Sequence, residues 1–224
     1  MEGLSTRTGC VYFGGVGLTV QNDPAGPASR LDHVAVLVSS LDGLAPVLAR
    51  HGLAADGVRE FPKEGTRETY VSGGRREGRL LLVEAAGPGP YSRALEKRGP
   101  GLHHIAVAVA SLAGFTGRLA SSGWLVHPSS LRGNGRPADL WLCRRGVPTL
   151  VEVLEDPAAA SPANPREAFI SSLDLALEEH LQGLFSFLDC PAIHPGAGLP
   201  AVLHTCVGLL SIDELLRGGG RDSC

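Results

Sequence analysis

Two stretches of the chain share one order of apolar and polar positions. LDHVAVLV (31–38) and LHHIAVAV (102–109) are short apolar runs of strand character. Ser39-Ser40 in the first and Ala110-Ser111 in the second then open a helix, and Gly52 or Gly123 stops it. Two more strand-like runs follow in each stretch, at 67–72 and 79–85 in the first and at 138–143 and 149–154 in the second. Each unit therefore reads β-α-β-β, with room for one more short strand. The segment between them, PYSRALEKRGPG (90–101), reads as a short helix ending at Gly99-Pro100.

The two units are copies. Residues 31–53 set over 102–124, an offset of 71 without gaps, agree at 11 of 23 positions, among them His33/His104, Ala35/Ala106, Val36/Val107, Ser40/Ser111 and Gly52/Gly123. Outside 31–156 the pattern weakens. Residues 1–30 are Gly-rich, and GGVG at 14–17 has neither the spacing nor the Lys of a phosphate loop, so it reads as a turn. AAASPANP (158–165) is a linker. From 167 to 188 apolar residues recur at helical spacing (Phe169, Ile170, Leu173, Leu177, Leu181, Leu184, Leu188), which predicts an amphipathic helix covering the main domain or a partner chain. The tail after Arg217 reads as frayed. The expected organisation is an N-terminal extension (1–30), a domain of two units (31–88 and 102–156), and a linker with a helical C-terminal extension (157–224).

Composition narrows the function classes. Over 224 residues, 20 Lys and Arg face 23 Asp and Glu, a net charge of −3, which argues against a nucleic-acid binder led by a basic patch. Aromatic residues make up 5%, so the core must be aliphatic. The five cysteines are scattered without a CxxC, and residues 1–15 lack the build of a secretory leader; reduced thiols in a cytoplasmic protein are expected. No stretch has the roughly 20 apolar residues of a membrane helix, and the nearest, 199–212, contains Pro200 and Gly208.

Strand alternation places His33 on one face with Leu31 and Ala35, and Val34, Val36 and Val38 on the other. The valine face should pack on the helices, leaving His33, and His104 by the repeat, looking into the sheet's concavity. Glu152 lies inside the apolar run LVEVL, where a carboxylate is costly unless paired or bound to metal. Two imidazoles and a carboxylate suit a divalent ion of the Zn, Fe, Co or Mn type.

LDHVAV, EKRGPGLHHIAVAV and LVEVL together resemble the vicinal oxygen chelate superfamily, and LEKRGPGLHHIAV is most similar to its methylmalonyl-CoA epimerase-like branch. The resemblance covers about 31–155. It implies an α+β fold of paired βαβββ units forming a curved mixed sheet around a metal-centred cavity, with His33, His104 and Glu152 as ligands. For a fourth ligand two registers compete. Counting from Gly78 against Gly146 puts Glu84 opposite Glu152; aligning on AAGPGPYSRALEK puts Leu81 in the ligand position and leaves three donors. His103 should point away from His104, His51 ends a helix, and His127 precedes Pro128 in a loop. Cys190, His194, His204 and Cys206 match no zinc spacing with a mechanical basis.

The resemblance implies a metal-dependent isomerase, epimerase or lyase acting on a small carbonyl compound, CoA thioesters included, by stabilising an enolate. Glu152 and the loop residue Glu64 are the candidate proton carriers. Arg93, Lys97 and Arg98 are the basic residues near the expected cavity edge. Two alternatives stay open: an Fe(II) ring-cleaving dioxygenase using a two-His-one-carboxylate triad, and a small-molecule binder without turnover. Whether the cavity forms within one chain or across a homodimer is also open.

Overall fold

A computed structural model describes residues 29–131, 139–161, 164, 166–197 and 201–218. GGVG at 14–17, Cys10, Cys224 and the tail beyond 218 lie outside the described residues. The first unit runs β1 (Ser29–Val38), α1 (Ala45–Arg50), β2 (Arg59–Phe61), β3 (Thr66–Val71) and β4 (Arg79–Ala85). After α2 (Pro90–Arg98), the second unit follows as β5 (Gly101–Val109), α3 (Leu112–Arg118), β6 (Leu125–Val126), β7 (Asp139–Cys143) and β8 (Leu150–Glu155). The short strand for which each unit had room is present as β2 and β6.

The units join into one eight-stranded mixed sheet, open and curved, in the order β2-β3-β4-β1-β5-β8-β7-β6. β1 and β5 meet antiparallel at its centre, and each pairs parallel with its own unit's last strand, β4 or β8. The repeat is thereby a pseudo-twofold. The offset of 71 runs through the strand pairs as well: Tyr70 faces Leu81 as Trp141 faces Glu152, and Ala35 faces Leu81 as Ala106 faces Glu152.

The helices of the two copies differ. Ser111 accepts a hydrogen bond from the Gly114 amide (3.3 Å) and α3 starts at once. In the first copy α1 begins only at Ala45. A helix from Leu41 would bury Pro46 in its second turn, where its missing N–H and its ring are not tolerated; instead Pro46 sits in the first turn of α1.

The C-terminal region departs from expectation. Residues 167–188 do not form one helix: β9 (Ile170–Ala176) precedes α4 (Glu179–Ser186). With β10 (Ile193–Gly196), β11 (Val202–Thr205) and β12 (Gly208–Ser211) it builds a second sheet, β10-β9-β11-β12, followed by α5 (Ile212–Gly218). Among the described residues the extension is thus a four-stranded sheet with two α-helices, not a helical segment. Leu173, Leu175 and Leu177 are all buried, a period of two that Leu175 imposes on an otherwise helix-compatible pattern. Phe169, Ile170, Leu173 and Leu188 share a core with Val34, Val36 and Val38, so the extension covers the valine face of the main sheet. Gly78 (φ +57°) makes the junction: Ile170 N–H donates to its carbonyl at 2.6 Å, and a Cβ there would lie 2.2 Å from the Ile170 oxygen. On the opposite, concave face, Ala35, Leu37, Leu81, Val83 and Tyr91 form a smaller cluster under α2.

Candidate metal centre

Two β-bulges aim the histidines. Between Leu31 and His33, β1 takes one more residue, Asp32, than β5 does opposite it; between His104 and Leu102, β5 takes one more, His103. The bulges are related by the repeat, since Asp32 and His103 are 71 apart. Each sets two successive side chains on the concave side. Leu31 is accordingly turned into the valine-face core, not beside His33, and His103 does not point away from His104.

Those extra residues hold the rings of His33 and His104. His33 Nδ1 donates to Asp32 Oδ1 at 2.7 Å, and Asp32 also accepts from Arg79 at 2.9 Å. His104 Nδ1 meets His103 Nδ1 at 3.0 Å, and His103 stacks on Tyr91. Only a proton on His104 Nδ1 leaves its Nε2 lone pair facing His33. Both Nε2 atoms then point into one space, 3.0 Å apart, with Glu152 Oε2 at 3.6 Å from His33 and 3.5 Å from His104.

These separations fit a shared ion. Two donors each about 2.1 Å from one metal stand roughly 3.0 to 3.4 Å apart at right-angled or tetrahedral geometry. His33, His104 and Glu152 form the one group among the described residues whose donor atoms converge within 4.8 Å. The electrostatics point the same way. Burial, then the charges of Asp139, Asp32, Glu64 and Glu68, push the Glu152 carboxyl up to about 8. Burial lowers His103 to about 4 and holds His104 well below the usual histidine range, so both are neutral near pH 7. Burial opposes the ionised Asp32, but its bond to His33, the charge of His33 and Arg79 outweigh it and keep its carboxyl low. A His104 imidazole held neutral and a Glu152 carboxyl crowded by other carboxylates are groups that a dication would satisfy.

Glu84 is not brought to this group. It accepts from the Leu41 amide (2.8 Å) and from Arg67 (3.1 Å), on the other face of the sheet. Its repeat mate is Glu155, which accepts from the Leu112 amide at 2.7 Å in the same way. Leu81 stands in the position equivalent to Glu152, 5% exposed among Ala35, Leu37, Val83 and Tyr91. Among the described residues, three side chains therefore converge on this point. Glu64 is exposed on the turn between β2 and β3, near enough for its charge to act on Glu152. Arg93, Lys97 and Arg98 are exposed along α2, Arg98 donating to the Pro148 carbonyl at 3.0 Å. His194 and His204 converge on Asp174 (3.4 and 2.7 Å), while Cys190 is buried and Cys206 exposed; the four do not gather into one site.

Carrying the offset into the strands would have revealed residues that the repeat over 31–53 does not reach. Glu68 and Asp139 are mates, as are Tyr70 and Trp141. The Tyr70 ring meets His33 edge-on at 5.9 Å, and the Trp141 ring meets His104 edge-on at 4.9 Å. Trp141 also donates to Asp139 at 3.0 Å. Glu68 is half-buried; burial raises its carboxyl, against a hydrogen bond from Thr66.

Residues 32–139 match the model of the glyoxalase/bleomycin resistance protein/dioxygenase superfamily. No curated protein matches the chain. Among solved structures, a hypothetical protein from Bacillus halodurans C-125 is 25% identical, with 61% of this chain and 99% of that chain covered at a TM-score of 0.49. A Streptomyces coelicolor methylmalonyl-CoA epimerase variant in complex with 2-nitronate-propionyl-CoA is 21% identical, with 59% and 98% covered at a TM-score of 0.47. The Mycobacterium tuberculosis methylmalonyl-CoA epimerase is 22% identical, with 61% and 89% covered at 0.45.

Proposed function

Because residues 32–139 belong to the glyoxalase/bleomycin resistance protein/dioxygenase superfamily, we propose that the chain is a metal-dependent enzyme of its isomerase or epimerase type. The observation that carries this is the convergence of His33 Nε2, His104 Nε2 and Glu152 Oε2 on one point of the concave face. A divalent ion held there supplies positive charge beside a substrate carbonyl, easing removal of a proton from the adjacent carbon.

The protein's own side chains supply the rest. Asp32 and His103 fix the ring orientations and tautomers of His33 and His104. Tyr70, Tyr91 and Trp141 wall the concave face around the three histidines. A carboxylate must take the proton and return it. Glu68 is better suited than Glu64, because its raised carboxyl lies on a strand of the site while Glu64 is solvated. Glu152 serves as ligand in this scheme. Substrates are small carbonyl compounds, acyl-CoA thioesters of the methylmalonyl type included.

One observation favours a second reading. Leu81 limits the donors to three, the number that a ring-cleaving Fe(II) dioxygenase uses. The test is to incubate protein loaded with Co, Mn, Zn or Fe(II) with methylmalonyl-CoA in D2O, and separately with catechols while oxygen is followed. Deuterium entering carbon 2, lost in Glu68→Gln and retained in Glu64→Gln, supports the isomerase. Oxygen uptake without deuterium incorporation supports the dioxygenase and refutes the isomerase.

A further inference from the structure

Beside the triad lies a cavity of about 640 Å³ whose wall includes Arg59, Arg75, Arg76 and Arg79. Its carboxylates are Asp56 and Glu68, and each is engaged by a hydroxyl instead of a guanidinium: Asp56 accepts from Ser72, and Glu68 accepts from Thr66. Arg79 is balanced by Asp32 and lies over the Tyr70 ring, 4.2 Å from its centroid. Among the described residues, no carboxylate lies within ion-pair distance of Arg59, Arg75 or Arg76. The cavity thus concentrates positive charge in a protein whose net charge is −3.

The cavity and the triad share a wall. Tyr70 lines the cavity with one face of its ring under Arg79 and meets His33 edge-on. A molecule with one end at the triad would therefore extend past Tyr70 into the arginines. We propose that Arg59, Arg75 and Arg76 form an anion subsite that takes a doubly charged oxyanion group of the substrate, remote from the atoms that react. The guanidinium suits this role because its planar fork meets two oxygens of one carboxylate or phosphate at once. Arg75 is already anchored through the Arg166 carbonyl, whereas Arg59 and Arg76 extend from the rim. The arginines select by charge and reach, and the triad does not depend on them. That this anion belongs to the substrate rests on the proposed function; that an anion binds does not.

The test is calorimetric titration of the full-length protein with pyrophosphate and with malonate at low salt, both metal-stripped and metal-loaded. The result expected is saturable binding of at least one anion in both metal states. It should weaken by about tenfold in Arg59→Ala and in Arg76→Ala, weaken with added salt, and hold in Lys97→Ala. Preference for pyrophosphate assigns the anion as phosphate, and preference for malonate as a dicarboxylate. Metal content should be the same in wild type, Arg59→Ala and Arg76→Ala. Binding of neither anion, or binding that both arginine variants retain at full strength, overturns the proposal. Binding that appears only with metal present also overturns it, since the anion would then be at the triad. A chain that takes up no metal but still binds the anion through these arginines would refute the proposed function while leaving the subsite standing.

Discussion

Glu152 is a largely buried carboxylate on which four other carboxylates act, and its only ion-pair partners among the described residues are His33 and His104. In the metal-free protein its pKa of about 8 stands above the ordinary 4.5. Between those values the folded chain holds a proton that the unfolded chain has lost. Its contribution to stability is complete below about 4.5 and is lost as pH rises through about 8. Melting of the chelator-treated protein should therefore fall from pH 5 to pH 8, with the dependence flattened in Glu152→Gln. An unchanged slope in that variant would place the titration elsewhere. Metal uptake at pH 6.5 should release about one proton from this carboxyl, and close to none at pH 9. Leu81 offers the complementary test. Leu81→Glu adds a fourth donor to the triad and an unpaired buried charge without it. Its melting temperature should drop in the metal-free state and recover on loading, and chelators should strip its metal more slowly than from wild type. Equal destabilisation in both states would mean that position 81 does not face the ion.

At the scale of strands and helices, bulges do the positioning. Simple alternation along β1 and β5 captures His33, His104 and the valine face, because those follow from a period of two. It misplaces Leu31 and His103, because one extra residue in each strand reverses the parity beyond it. Nothing in LDHV or LHHI marks a bulge. The choice of Leu81 over Glu84 was legible in principle: the 71-residue offset, continued through β4 and β8, pairs Leu81 with Glu152 and Glu84 with Glu155. Gly78 is the element-scale hinge between the two sheets. Gly78→Ala forces a Cβ into the Ile170 carbonyl at a positive φ and should cost about 3 kcal/mol or more. A thermal melt within a degree of wild type would show that the junction yields at no cost.

At the scale of the whole molecule, the two units were readable because their repeat is carried by local pattern. The C-terminal region was not, because Phe169, Ile170, Leu173 and Leu177 satisfy a helix as well as a strand. What decides between them is packing against the distant Val34, Val36 and Val38. That packing makes the extension part of the main core. No helix among the described residues is long and apolar enough to cross a membrane. A chain truncated after residue 161 should expose the valine face and aggregate when expressed. A monodisperse, metal-binding truncation would show that the first sheet stands alone.

The triad remains the centre of the account, and elemental analysis addresses it most directly. Protein purified without added metal and then loaded and desalted should retain a single divalent ion per chain. His33→Ala, His104→Ala and Glu152→Ala, each confirmed folded by circular dichroism, should lose it, while Glu84→Ala should keep it. Equal metal content across wild type and the three triad variants, or loss in Glu84→Ala alone, would contradict the assignment.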